Sequence, residues 1–127
     1  MDNFLQTFFD WDLISEVLPD LLTTGIKNTL LLALGASVVG FVVALPLALM
    51  GLSTRWFLRW PARVFTDVFR GLPAILTILL FGQALSPLGM SLFGPSPFPL
   101  AIVALGLITA AYTGEILRAG IQSVEKG

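Results

Sequence analysis

Residues 71–114 carry no charged side chain, and neither do residues 28–54. The helices of a water-soluble domain need a polar face, so stretches of this kind point to a lipid environment. A spanning helix needs about 20 apolar residues. The shorter stretch holds one span. The longer holds two if the chain turns round in its middle. With 127 residues, 56% of them hydrophobic and 12% charged, there is room for one membrane unit and none for a sizeable soluble domain.

Several function classes fall away on composition. A net charge of −1 offers no basic footprint for nucleic acid. The chain has neither Cys nor His, which removes disulfides, zinc sites, thiol nucleophiles and the usual general base; no cofactor is expected. A phosphate-binding loop must end in Gly-Lys-Ser/Thr, but Lys27 follows Ile26 and Lys126 follows Glu125. An ATP-driven function would need another chain to bind the nucleotide. The first 20 residues carry Asp2, Asp10, Asp12, Glu16 and Asp20 and no basic residue, so the positive n-region of a secretory signal is missing. No ionisable group falls at the centre of a span, which argues against a proton-coupled carrier. The carboxylates cluster at helix ends, which gives little support to a membrane enzyme.

Read along the chain, residues 3–24 form an amphipathic helix lying on the membrane surface. Ile14, Val17, Leu18, Leu21 and Leu22 recur at helical spacing opposite Ser15, Glu16 and Asp20. Pro19 is expected to restart this helix, and a mobile tail is the alternative for residues 1–10. Span 1 covers residues 28–52. In it Ala36, Gly40, Ala44 and Ala48 repeat at four-residue steps; either they form a face that another helix can approach closely, or small residues are simply frequent here. Pro46 predicts a kink. Residues 53–61 form a basic loop. Arg55, Arg59, Arg63 and Arg70 are four of the seven basic residues and lie among Trp56 and Trp60. The positive-inside rule places them in the cytoplasm, with the N-terminus outside and the C-terminus cytoplasmic.

The apolar run from Leu72 is too short to cross alone. Span 2 is therefore expected over residues 62–85, carrying Asp67 and Arg70 and bent at Pro73. Residues 86–99 hold Pro87, Pro95, Pro97, Pro99, Gly89 and Gly94; they read as an external loop with no long helix. Span 3 is expected over residues 100–121, with a second small-residue stripe at Gly106, Ala110 and Gly114, and runs on through Glu115 and Arg118. Residues 122–127 lead towards a cytoplasmic loop. The fold class is an all-α membrane protein: an interfacial amphipathic helix followed by three transmembrane helices, in a single membrane unit of residues 1–127.

Two acids are each followed three residues later by an arginine, Asp67 by Arg70 and Glu115 by Arg118, neighbours on a helix face. Two readings stand. The pairs bridge between antiparallel helices, Arg70 to Glu115 or Asp67 to Arg118, or each long side chain snorkels to the interface. Asn28, Ser37, Thr77, Gln83, Thr109 and Thr113 are the polar groups available to line a path or to bond between helices.

These residues resemble a known family, the membrane-spanning permease subunit of bacterial ABC importers for polar amino acids. Gly25-Ile26-Lys27-Asn28-Thr29-Leu30 is similar to its Gly-x-x-x-Thr-Leu start of the first span. Phe69-Arg70-Gly71-Leu72-Pro73 is similar to its Phe-Arg-Gly-x-Pro signature. The run Ala111-Tyr112-Thr113-Gly114-Glu115-Ile116-Leu117-Arg118-Ala119-Gly120-Ile121 is similar to its Ala-Tyr-x-x-Glu-Ile-x-Arg-(Ala/Gly)-Gly-Ile run. The order and spacing fit over residues 19–127.

The resemblance implies a pore formed with a second permease subunit, identical or related. It implies solute delivered by an extracytoplasmic binding protein, two cytoplasmic ATP-binding subunits as motors, and a setting in membrane lipid without nucleic acid. It marks Arg70, Gly71, Pro73, Tyr112, Glu115, Arg118 and Gly120 as motif positions, to which the spacing adds Asp67 as an inter-helix charge position. Glu125, Lys126 and Gly127 become the approach to the family's Gly-Gln-x-Glu-Ala-Ala coupling loop. The sequence stops where that loop begins, so it reads either as the N-terminal part of a longer permease or as a truncated product, and it is not expected to transport alone. A small structural membrane subunit that scaffolds partners is the other class.

Overall fold

The computed structural model describes Phe4 and residues 7–124. Among the described residues the named elements are all helical. They are α1 (Trp11–Asp20), a π-helical turn (Leu21–Gly25), α2 (Ile26–Leu52), α3 (Trp56–Gly71), α4 (Ala74–Ala84), α5 (Ser86–Phe93) and α6 (Phe98–Ser123). The chain divides into two compact units, residues 1–31 and residues 32–127.

In the first unit Asp10 caps α1, its carboxylate accepting from the amides of Asp12 and Leu13, both at 3.2 Å. The expected restart at Pro19 does not occur. The helix continues through Pro19 to Asp20 and then widens into the π turn. Proline lacks an N–H and crowds the carbonyl four residues back, and the rare π-helix occurs mostly as single turns of this kind inside α-helices. Thr23 Oγ1 donates to the Pro19 carbonyl at 2.8 Å. Leu13, Val17, Leu18 and Leu21 form an exposed apolar stripe. Residues 3, 5 and 6 of the segment expected as interfacial lie outside the described residues.

The second unit is built on a seam of small residues. Ala36, Gly40, Ala44, Ala48 and Gly51 are the buried residues of α2, and Ala104, Gly106, Ala110, Ala111 and Gly114 those of α6. A Cβ on Gly40 would lie 2.6 Å from Thr109 Cγ2, and one on Gly106 would lie 2.7 Å from Val39 Cγ1. The backbones approach so closely because nothing larger stands between them. The large side chains Leu34, Val38, Phe41, Val42, Leu45 and Leu49 are exposed instead. That inverts the soluble pattern and suits a chain whose solvent is hydrocarbon. Ser37 Oγ donates to Ala33 O at 2.7 Å and Thr109 Oγ1 to Leu105 O at 2.9 Å, so both hydroxyls are satisfied within their own helices rather than between them.

Pro46 lies inside α2, which remains helical to Leu52. Pro73 acts more strongly than a bend in a continuing helix. The single helix expected over residues 62–85 is two helices, α3 and α4, meeting at 103°. Steric conflict with the proline ring drives the preceding residue out of the α region. Leu72 accordingly adopts φ −84°, ψ 134°, and Pro73 itself is extended at ψ 134°. With 11 residues, α4 is roughly 16 Å long. Helix α3 begins at Trp56, inside the stretch expected as the 53–61 loop. Within residues 86–99 Pro87 opens the eight-residue α5, which ends at Gly94 with φ 81°, ψ −170°.

The helical stretch Trp11–Leu52 and helix α6 are each long and apolar enough to cross a membrane, and α3 with α4 would add a third span if the bent pair is one.

Candidate functional site

Where α2, α3 and α6 come together, Leu47, Gly51, Ala62, Arg63, Thr66, Asp67, Arg70, Gly114, Glu115 and Arg118 line a polar cleft of about 180 Å³. Its floor is made by small or self-satisfied groups: Ala62 is buried, and buried Thr66 donates its hydroxyl to Ala62 O at 2.8 Å. Gly51 lets the Arg118 stem lie against α2, since a Cβ there would sit 2.9 Å from Arg118 Cδ.

Arg118 is held within its own helix. Its Nη2 and Nε donate to the two carboxylate oxygens of Glu115, the Nε contact at 3.3 Å, and its Nη1 donates to Gln122 Oε1 at 3.3 Å. Of the two readings, the bridges between helices, Arg70 to Glu115 and Asp67 to Arg118, are not formed among the described residues. The i, i+3 spacing on α6 lets Arg118 reach Glu115 without ordering a second helix. Arg70 instead places its Cζ 5.5 Å from the centroid of the Tyr112 ring, joining α3 to α6. Asp67 and Arg63 have no ion pair among the described residues.

The fold thus brings together Asp67, Arg70, Tyr112, Glu115 and Arg118. Gly71 and Pro73 stand at the break after α3. Among the described residues neither Gly71 nor Gly120 has a neighbour within 4 Å of where a Cβ would go. Glu125, Lys126 and Gly127 lie outside the described residues. Sequence reasoning missed Arg63, Thr66 and Gly51 as cleft residues. Arg63 was within reach of it, because Arg63, Asp67 and Arg70 fall at i, i+4 and i+7, one helical stripe. Thr77, among the candidate polar groups, is 1% exposed on α4 and its hydroxyl has no partner among the described residues.

An apolar exterior, a small-residue seam and one polar cleft lined from three helices define a multi-pass membrane component. Residues 36–127 match the family described as the binding-protein-dependent transport system inner membrane component, and the chain belongs to that family of the cytoplasmic membrane. It is 36% identical over 124 residues to the glutamate/aspartate import permease protein GltK of Escherichia coli O6:H1, covering 94% of this chain and 55% of that protein. It is 33% identical over 123 residues to the L-cystine transport system permease protein TcyB of Bacillus subtilis, covering 97% and 51%. It is 42% identical over 112 residues to the octopine transport system permease protein OccM of Rhizobium meliloti, covering 84% and 46%. The chain spans about half the length of these relatives. No solved structure matches it significantly.

Proposed function

We propose that this chain supplies the N-terminal part of a permease subunit of an ATP-driven amino-acid importer. It forms the translocation path with a second permease subunit, identical or related. An extracytoplasmic protein delivers the solute, and separate cytoplasmic subunits bind and hydrolyse ATP. The observation that carries this reading is the Arg70–Tyr112 contact. It joins the two motif segments, Phe69–Pro73 and Ala111–Ile121, that the resemblance singled out. The relatives' names, which speak of glutamate/aspartate, cystine and octopine transport, support transport over a purely scaffolding role.

The finer topology belongs to the same proposal. The N-terminus is outside, the first unit's apolar stripe lies in the interface, and α3 with α4 forms one bent crossing. The C-terminus is cytoplasmic, and residues 122–127 lead to the coupling loop. The basic residues Arg55, Arg59, Arg63 and Arg70 support this orientation.

Two measurements test the reading. Cells lacking the gene are expected to lose uptake of at least one labelled amino acid. The tagged product, solubilised in mild detergent, is expected to co-purify with an ATPase subunit. Unchanged uptake across all amino acids would overturn the proposal.

A further inference from the structure

The cleft between α2, α3 and α6 holds charges that the described chain does not neutralise. Three arginines, Arg63, Arg70 and Arg118, face two carboxylates, Asp67 and Glu115, leaving one net positive charge. Arg118 and Glu115 are engaged with each other. Among the described residues the Arg63 side chain makes no hydrogen bond or ion pair, and the Arg70 guanidinium meets only the Tyr112 ring, so its N–H donors find no acceptor there. A planar guanidinium with free donors matches phosphate geometry.

The cleft also stands at a level where phosphate is abundant. Trp56 and Trp60, 72% and 64% exposed, precede Arg63 at i−7 and i−3 on the same stripe of α3. Exposed tryptophans of this kind sit at the headgroup layer of a bilayer. Basic pockets between spanning helices are suited to lipid headgroups.

We propose that this cleft binds the phosphodiester of a membrane phospholipid, with Arg63 and Arg70 donating to its oxygens and Tyr112 holding Arg70 in place. The charge balance favours a diester over free phosphate or a monoester. One negative charge neutralises the cleft, whereas a dianion would leave excess negative charge beside Asp67. Asp67 is the repulsive element that sets this preference.

The test uses the purified full chain in neutral detergent and native mass spectrometry. Short-chain phosphatidylglycerol is the probe, with the matching diacylglycerol and inorganic phosphate as the other arms. Phosphatidylglycerol is expected to remain bound and diacylglycerol not. R63Q/R70Q is expected to weaken phosphatidylglycerol binding about tenfold, as loss of charge-assisted hydrogen bonds implies. R55Q, which lies outside the cleft, is expected to leave it unchanged. Circular dichroism monitors helicity, and should the double glutamine variant lose its helices, R63K/R70K keeps charge and bulk and is expected to retain part of the binding. Equal retention of diacylglycerol, or undiminished binding in every arginine variant, would overturn the proposal. Inorganic phosphate binding as tightly as the lipid would overturn the lipid source.

Discussion

The guanidinium carbon of Arg70 lies 5.5 Å from the centre of the Tyr112 ring. The contact ties the last turn of α3 to the middle of α6, just before the chain breaks at Pro73. It holds a cation against a ring face rather than against a carboxylate. Tyr112 is partly exposed, so the contact falls in the range of about 0.5–1 kcal/mol found at exposed sites. Tyr112→Phe keeps the ring and should leave stability nearly unchanged. Tyr112→Leu should lose the cation–π contribution. Unfolding of the detergent-solubilised chain by denaturant reads both. Equal losses in the two variants would assign the effect to the hydroxyl.

The seam between α2 and α6 predicts a contrast between two glycines on one stripe. An added methyl at Gly106 meets Val39 Cγ1 at 2.7 Å and Cβ at 2.9 Å, too close without moving a stiff β-branched side chain. At Gly114 the nearest atoms are Ala44 O at 3.4 Å and Leu47 Cβ at 3.5 Å, an ordinary contact. Gly106→Ala should therefore destabilise by about 1–3 kcal/mol, the usual cost of overpacking. Gly114→Ala should be close to neutral. Thermal unfolding monitored by circular dichroism separates them, and equal effects would contradict the seam geometry.

Gly94 ends α5 at φ 81°, ψ −170°, a region open essentially to glycine alone. Space is not the issue, since nothing lies within 4 Å of a Cβ there. Gly94→Ala should cost about 1–3 kcal/mol through backbone strain alone. Unfolding midpoints of G94A read that cost; an unchanged midpoint would show that the turn relaxes.

What could be read from the sequence divides along the range of the interactions. Ala36, Gly40, Ala44 and Ala48 fix a face through backbone periodicity alone, so a close-packing surface was legible; that it meets Gly106, Ala110 and Gly114 on α6 required the fold. Pro73 announced a bend. Its conversion into a 103° break depended on Leu72 and Pro73 both becoming extended, a local choice that neither the charged segment before it nor the apolar run after it records. The charges misled for a related reason. Acid and arginine three residues apart look ready to bridge helices, yet Glu115 and Arg118 satisfy each other on α6 at smaller entropic cost. Asp67 and Arg70 share the same spacing and do not pair among the described residues; Arg70 lies against the Tyr112 ring of α6 instead. Thr66 and Gly51 carry no chemical signal that would mark them as cleft residues before the three helices meet.

Pro73 also predicts a change of shape. Pro73→Ala removes the steric bar on Leu72 and restores a backbone N–H at position 73. Gly71 and Leu72 are then free to continue the helix, and α3 should tend to align with α4. Spin labels at positions 59 and 80, on either side of the break, should move apart in P73A. An unchanged distance would place the cause of the break in the packing of α3 and α4 against α6.

The pairing on α6 gives an exchange test. If Glu115 and Arg118 serve each other, as their two-pronged contact indicates, then E115R and R118E should each destabilise through like charges one turn apart. The exchanged E115R/R118E chain should recover much of that loss, because the i, i+3 geometry is retained. The coupling is expected to be about 0.5–1 kcal/mol, the scale of partly exposed ion pairs, read as the interaction energy of a double-mutant cycle. The parallel exchange of Arg70 with Glu115 should give no such recovery. It leaves two positive charges on α6 at positions 115 and 118 and takes the cation from the Tyr112 ring. Recovery in R70E/E115R but not in E115R/R118E would instead establish a bridge between α3 and α6.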